Sequence, residues 1–227
     1  NRFCFLSWLA SLFQSQLKHQ KETIVFEQPQ KTIDWELETI DVIIPTVGRK
    51  KYLYDVLKDL SGQTHLPKNV IIVEQNPNLD SDSELDYLTT EQWPFQIKHV
   101  FTHQTGACQA RNKALDLLES NWCFFADDDI RFEQDFFKQA LFELIQNVVS
   151  VGVFSCLKAN DKKYYFHLSQ TTIFGSGCSI CKTSVVKNMK FNLDLEFGFG
   201  EDTEYGLQIR NQGIDVFYVP YPEILHL

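Results

Sequence analysis

The sequence predicts an α/β protein whose mostly parallel sheet is flanked by helices on both faces, and three observations carry that prediction. Short β-rich apolar runs recur at Ile40 to Ile44, Asn69 to Val73, Phe95 to Phe101 and Trp122 to Ala126. Helical patterns stand between them, giving the order β-α-β-α-β-α-β. Each run is nearly continuous rather than alternating, as strands buried on both faces require. The length of 227 residues, at about 150 residues per domain, fits one large domain with an appendage.

Residues 1–39 read as that appendage. They hold an aromatic-rich helical stretch (Phe3, Leu6, Leu9, Phe13, Leu17), an alternating segment from Thr23 to Glu27 and a polar connector. Residues 40–227 form the main domain. Its first strand ends at Pro45, and a helix through Tyr52, Val56, Leu57 and Leu60 stops at Ser61-Gly62. After the strand beginning at Asn69 comes a weaker helix near 83–90, then the run ending at Phe101, a helix over about 107–119, and the strand from Trp122. The second half is less regular. It reads as a helix near 133–147, a strand from Val148 to Cys156, strands around 163–181, a helix near 201–211 and a final run from Ile214 to Val219. Ligands are expected at the carboxyl ends of the parallel strands, with the mixed second half wrapped beside them.

Composition narrows the function. With 44% hydrophobic and 22% charged residues the main domain can fold around a core rather than remain disordered. A net charge of −9 supplies no positive field for a nucleic-acid backbone, so no nucleic-acid partner is expected. Six cysteines, several inside apolar runs, look like buried thiols, and no Asn-x-Ser/Thr acceptor occurs. Both features predict a reducing, cytoplasmic compartment. The longest apolar run, Phe3 to Phe13, falls short of the ~20 residues that span a bilayer. The chain starts at Asn1 without the basic lead of a signal peptide, which suggests a piece of a longer protein.

The strongest chemical signal is Asp127-Asp128-Asp129, delivered by an apolar strand to the edge where ligands gather. Adjacent anions repel, so the run calls for water or a cation, and carboxylate oxygens suit Mg2+ or Mn2+. A polar turn before the helix near 133 explains the same residues. The second signal is Phe197-Gly-Phe-Gly-Glu201-Asp202, where an acid can serve as general base; acids in a first helical turn are also favoured by the macrodipole alone. Arg111 can neutralise phosphate and His226 can bind a metal, though surface arginines and structural histidines are commoner. Cys178-x-x-Cys181 lacks a second pair and falls on a strand, so neither zinc nor redox chemistry is expected. No phosphate-binding P-loop, dinucleotide fingerprint, zinc-protease motif or serine-hydrolase elbow is present.

The order of motifs resembles the family 2 glycosyltransferases with the GT-A fold. The elements that carry the likeness are Val42-Ile-Ile-Pro45-Thr46, the strand ending Val73-Glu74, Gly106 to Asn112, Asp127 to Asp129, Gly200-Glu-Asp202 and the late His226. The resemblance covers about residues 40–227 and implies a Rossmann-like sheet with a mixed acceptor-side half. It also implies a nucleotide-diphosphate sugar donor, usually a uridine one, a divalent Mn2+ or Mg2+, and transfer to a hydroxyl with inversion. Carried over by position, Asp129 is a direct metal ligand, Asp127 lies near the ribose or the metal, and His226 completes the metal shell. Asp202 deprotonates the acceptor with Glu201 beside it, while Pro45, Thr46, Glu74, Arg111 and Asp128 line the nucleotide pocket.

Two departures stand out: Gly48 precedes Arg49 where the family often has Asn, and Glu74 stands where it usually has Asp. The expected function is therefore a metal-dependent transferase acting on a glycan, lipid-linked or protein acceptor in cell-surface polysaccharide or glycoconjugate synthesis. Its expected place is the cytoplasm, with peripheral attachment at the inner membrane face as an option. The alternatives are a sugar-nucleotide nucleotidyltransferase, which needs a Gly-rich basic loop after the first strand, and a catalytically silent module that binds nucleotide sugars.

Overall fold

Strand β1 (Ile40–Thr46) is the axis of the sheet, buried along nearly its whole length because helices cover both of its faces. The computed structural model describes residues 32–227; residues 1–31, most of the expected appendage, lie outside the described residues. Helix α1 (Lys50–Ser61) follows, then β2 (Asn69–Gln75), the short α2 (Tyr87–Thr90), β3 (Gln96–Thr102), α3 (Ala107–Leu115) and β4 (Trp122–Ala126). The second half contributes β5 (Ile130–Phe132), α4 (Phe136–Gln146), β6 (Val151–Lys158), β7 (Ser169–Thr171), β8 (Cys178–Lys182), α5 (Thr183–Val186), a 3-10 turn (Leu193–Leu195), α6 (Glu201–Asn211) and β9 (Val216–His226).

Among the described residues the sheet runs β3-β2-β1-β4-β8-β6-β9-β5, with β7 also on β9. β1 is parallel to both β2 and β4, and β2 to β3. β8 then runs antiparallel to β4 and to β6. The chain builds outward from β1 to β3 and returns to the other side of β1 with β4. That reversal opens a crevice at the carboxyl ends of β1 and β4, the place where open α/β sheets bind ligands.

Period-two alternation sorts the strand residues between two cores. Val42, Ile44, Val70, Ile72, Trp122 and Phe124 face α1 and α4. Ile43, Ile71, Val73, Cys123 and Phe125 face α3 and α6. Helix α1 offers Leu53, Val56, Leu57 and Leu60, an i, i+3, i+4, i+7 stripe. Phe124 meets Phe136 and Phe137 at centroid distances of 5.5 and 5.6 Å. On the opposite face Phe191 stacks on Tyr205 at 4.0 Å, and Phe125 packs edge-on against Phe174 at 5.5 Å.

The structure departs from the sequence reading at several places, beginning with the helix expected near 83–90, which covers only Tyr87–Thr90. The helix expected to reach residue 119 stops at Leu115. The strand expected from Val148 begins at Val151, because Val148 takes φ 58° in the preceding turn. The final strand continues through Pro220 and Pro222 to His226, although prolines argue against a strand interior. A bulge explains the reach of this strand. Pairing with β6 jumps from Phe154↔Val219 to Cys156↔Ile224, so Pro220 and Pro222 leave the ladder. The resumed strand pairs with β5, a strand the periodicity missed, and sets His226 opposite Ile130.

At the amino-terminal edge a buried carboxylate ties β1 to β2 and to the start of β4. Asp41 accepts from the backbone N–H groups of Glu119 at 2.6 Å and Ser120 at 3.0 Å, from Ser120 Oγ at 2.6 Å and from Asn69 Nδ2 at 2.8 Å. Asp41→Ala leaves those donors unpaired. It is expected to destabilise the domain by about 3 kcal/mol, read from the urea midpoint, with Asp41→Asn recovering part of the loss.

Candidate active site

Parallel register builds the floor of the crevice. Ile40↔Trp122 and Ile43↔Phe125 share an offset of 82 residues, and the same offset carried past the strand ends sets Thr46 against Asp128. Thr46 Oγ1 donates to Asp128 Oδ2 at 2.6 Å, and Arg49 NH1 donates to Asp128 Oδ1 at 3.0 Å. Burial pushes the Asp128 carboxyl above its ordinary value, while the Thr46 and Arg49 hydrogen bonds and the Arg49 charge oppose that rise. Arg49 is in turn held protonated chiefly by the charge of Asp128.

The three aspartates have different partners because they occupy the short turn between β4 and β5. Asp129 Oδ2 accepts from Arg49 NH1 at 2.5 Å, and its Oδ1 lies 3.3 Å from His226 Nε2. The β5–β9 pairing makes the second contact, and Leu227 N also donates to the Asp129 carbonyl at 3.0 Å. Asp127 turns the other way and accepts from Arg111 NH2 at 3.2 Å. Arg111 is buried, its guanidinium rests over the Phe191 ring at 5.7 Å, and its Nε has no partner among the described residues.

Helix α6 supplies the second acid set. Gly200 precedes it with φ 105°, a left-handed conformation that an L side chain resists, and Glu201, Asp202 and Glu204 fill the first turn. Asp202 Oδ2 accepts from Ser176 N at 3.2 Å, whereas Oδ1 is buried and unpartnered among the described residues. Burial is the main force pushing its carboxyl up. The Gly175–Gly177 loop lies against both acid sets: Ser176 holds Asp202, and a side chain at Gly177 would collide with the Asp127 carboxylate.

Of the nucleotide-pocket residues inferred from the sequence, Thr46 and Glu74 border one hollow. Thr46 pairs with Glu74 across β1 and β2, and Pro45 with Val73. That hollow is lined by Thr46, Gly48, Arg49, Glu74 and Asn76. Glu74 is already engaged, since Oε2 accepts from Ser83 Oγ at 2.6 Å and lies 2.8 Å from His99 Nε2, while Oε1 accepts from Glu84 N at 3.0 Å. Asp128 is likewise turned into protein contacts rather than into the open crevice. Among the described residues no three of His, Cys, Asp and Glu converge to enclose an ion.

Sequence reasoning missed Arg49, Ser176 and His99 as parts of this site. Arg49 had a signal, because it follows a strand end within four residues of Pro45. Ser176 had none, since its bond to Asp202 crosses 26 residues of irregular chain. Glu196 was missed too. Its carboxylate accepts from Cys108 N at 3.0 Å and Gln109 N at 2.8 Å, capping α3 from a distant loop.

Residues 41–201, more than half of the chain, match Glycosyl transferase family 2. The chain belongs to this family. Among its relatives is the glycosyltransferase GlyA of Streptococcus pneumoniae, 26% identical over 134 residues that make up 58% of this chain and 19% of GlyA. Staphylococcus aureus TarS 1–349 in complex with UDP superposes with a TM-score of 0.67 at 18% identity, covering 82% of this chain and 60% of that one. The mannosyltransferase PcManGT of Pyrobaculum calidifontis, in complex with GDP-Man and Mn2+, gives a TM-score of 0.63 at 17% identity over 88% of this chain and 60% of that one. The chain thus spans about a fifth of the length of GlyA. The GT-A architecture expected from the motif order of this family 2 chain is the one observed.

Burial of Asp202 carries a stability consequence. Its folded-state pKa is raised, so its contribution to stability is full below the ordinary carboxylate range and is lost as pH rises through the folded value. Asp202→Asn keeps an acceptor for Ser176 N. It is expected to raise Tm at neutral pH, with the increment vanishing in thermal melts at acidic pH where the carboxyl is protonated in both states.

Proposed function

We propose that the chain is a metal-dependent, inverting glycosyltransferase domain. It moves a sugar from a nucleotide-diphosphate donor, with uridine as the favoured base, to a hydroxyl of a glycan or glycoconjugate. The observation that carries this reading is the division of acids across the Gly175–Gly177 loop. Asp129 with His226 stands at the carboxyl end of β4, and Asp202, with one unpartnered carboxylate oxygen, stands at the start of α6. The nucleotide and nucleotide-sugar complexes of TarS and PcManGT support the donor class.

The donor set suits a hard divalent cation. Asp129 and His226 would hold it, while Asp127 stays on Arg111, and two protein ligands leave positions for phosphate oxygens and water, as Mg2+ and Mn2+ sites at phosphates commonly have. When bound, the ion would supply Lewis-acid stabilisation of the departing diphosphate. The chain's own residues do the rest. Thr46 and Glu74 border the nucleotide, and Arg111 holds Asp127 in place. Asp202 accepts the proton of the acceptor hydroxyl while that oxygen bonds to the anomeric carbon from the face opposite the diphosphate. The anomeric C–O bond breaks and its electron pair leaves with the diphosphate. A positioned base of this kind typically contributes ~10²–10⁴-fold.

No helix among the described residues is long and apolar enough to cross a membrane. The cytoplasm is part of the proposal, and Cys108, Cys123, Cys156, Cys178 and Cys181 are free thiols, as a reducing compartment keeps them.

Calorimetric titration with UDP and with GDP, each with and without Mn2+, tests the donor assignment. UDP is expected to bind more tightly than GDP, and only with the metal. Metal-independent binding would overturn the role of Asp129. Asp202→Asn is expected to keep nucleotide affinity within about twofold and to lower transfer by ~10²-fold or more. Metal-dependent nucleotide binding by a wild-type chain that neither hydrolyses nor transfers sugar would instead identify a silent binding module.

A further inference from the structure

Arg49 is the cation that answers most of the charge at the crevice, and packing holds it only loosely. It stands just before α1, and 51% of its side chain is exposed. One nitrogen, NH1, bridges Asp128 Oδ1 and Asp129 Oδ2. The two carboxylates differ in what else secures them. Asp128 is buried and keeps Thr46 as a second donor at 2.6 Å, whereas the Asp129 carboxylate has, among the described residues, His226 at 3.3 Å from its other oxygen.

A divalent ion on Asp129 and His226 would therefore need a carboxylate that Arg49 already holds. The two cations would stand close enough to repel strongly in a partly buried site. An arriving diphosphate reverses this balance, because pairs of its oxygens can accept from two N–H groups of the planar guanidinium at once. Arg111 cannot take the same part, being buried and committed to Asp127.

We infer that Arg49 is an exchangeable counter-ion: it holds Asp129 until a nucleoside diphosphate enters, then moves onto a phosphate oxygen and yields Asp129 to the metal. Asp128 and Thr46 keep the turn in place during the exchange. Metal and nucleotide consequently bind as a coupled pair, each weak without the other. The inference rests on the metal site proposed above.

Mn2+ binding to the full chain, followed by the electron paramagnetic resonance of free Mn2+ with and without UDP, tests it. Arg49→Gln is expected to tighten Mn2+ binding in the absence of nucleotide by about tenfold, and to shrink the gain that UDP brings by a similar factor, within the range usual for coupled sites. Arg49→Lys, which keeps the charge without the fork, is expected to fall between. Unchanged or weaker binding of Mn2+ alone by Arg49→Gln overturns the inference. Asp129→Asn separates the two ideas. If it abolishes Mn2+ binding with UDP while Arg49→Gln leaves the metal-only affinity unaltered, the metal site stands and the exchange falls. If Asp129→Asn changes nothing, both fall. Thermal melts of each variant establish that it is folded.

Discussion

Three consecutive carboxylates at one edge of a sheet repel one another, and where they are buried the repulsion must be answered by donors or opposite charge. The architecture of this chain brings partners to them from three separate segments. Arg49 comes from the turn after β1 and Arg111 from inside α3, while His226 at the end of β9 sets a ring nitrogen 3.3 Å from Asp129. Each segment is placed by a different long-range pairing: β1 on β4, α3 packed against β1 and β2, and β9 on β5. The acid cluster at the crevice is thus where the connections of the fold converge. Away from the crevice the same sheet carries a fully satisfied carboxylate in Asp41, four hydrogen bonds deep in the structure. One acid is locked by neutral donors, whereas Asp127, Asp128 and Asp129 each meet an arginine.

The second constraint is the loop from Gly175 to Gly177. It lies against Asp127 on one side and binds Asp202 on the other, so a shift in it would alter both acid sets together. The segment leading into α6 is itself tethered, because Glu196 caps α3. Beyond that tether Phe197 and Phe199 are open to solvent. The tether and the exposed aromatic residues thus lie within six residues of Asp202.

Much of this was readable in the residues. Strands β1, β2 and β4 stood out because burial on both faces makes them continuous apolar runs, whereas β3 at the sheet edge is only partly covered, and α6 stood out because its acids crowd the first turn. The acids at 127–129 and at 202 were legible for the same reason, since a strand or a helix start displays them. Strand β5 was not, because three residues carry no periodic signal. Neither was the reach of β9 to His226, because a bulge hides two prolines that a local rule would count against it.

Local order along the chain therefore determined most of the secondary elements, the faces of the main strands that are buried and which acids reach the sheet edge. Hydrophobic period and turn chemistry act over a few residues, and a sequence displays them directly. Tertiary structure alone decided the partners: Arg49 with Asp129, His226 beside it, Ser176 on Asp202, and a Glu74 carboxylate already taken by Ser83, Glu84 and His99. These contacts depend on strand register and loop closure across tens of residues. Charge and hydrogen-bond geometry select among such pairings only after the sheet has brought the groups within reach.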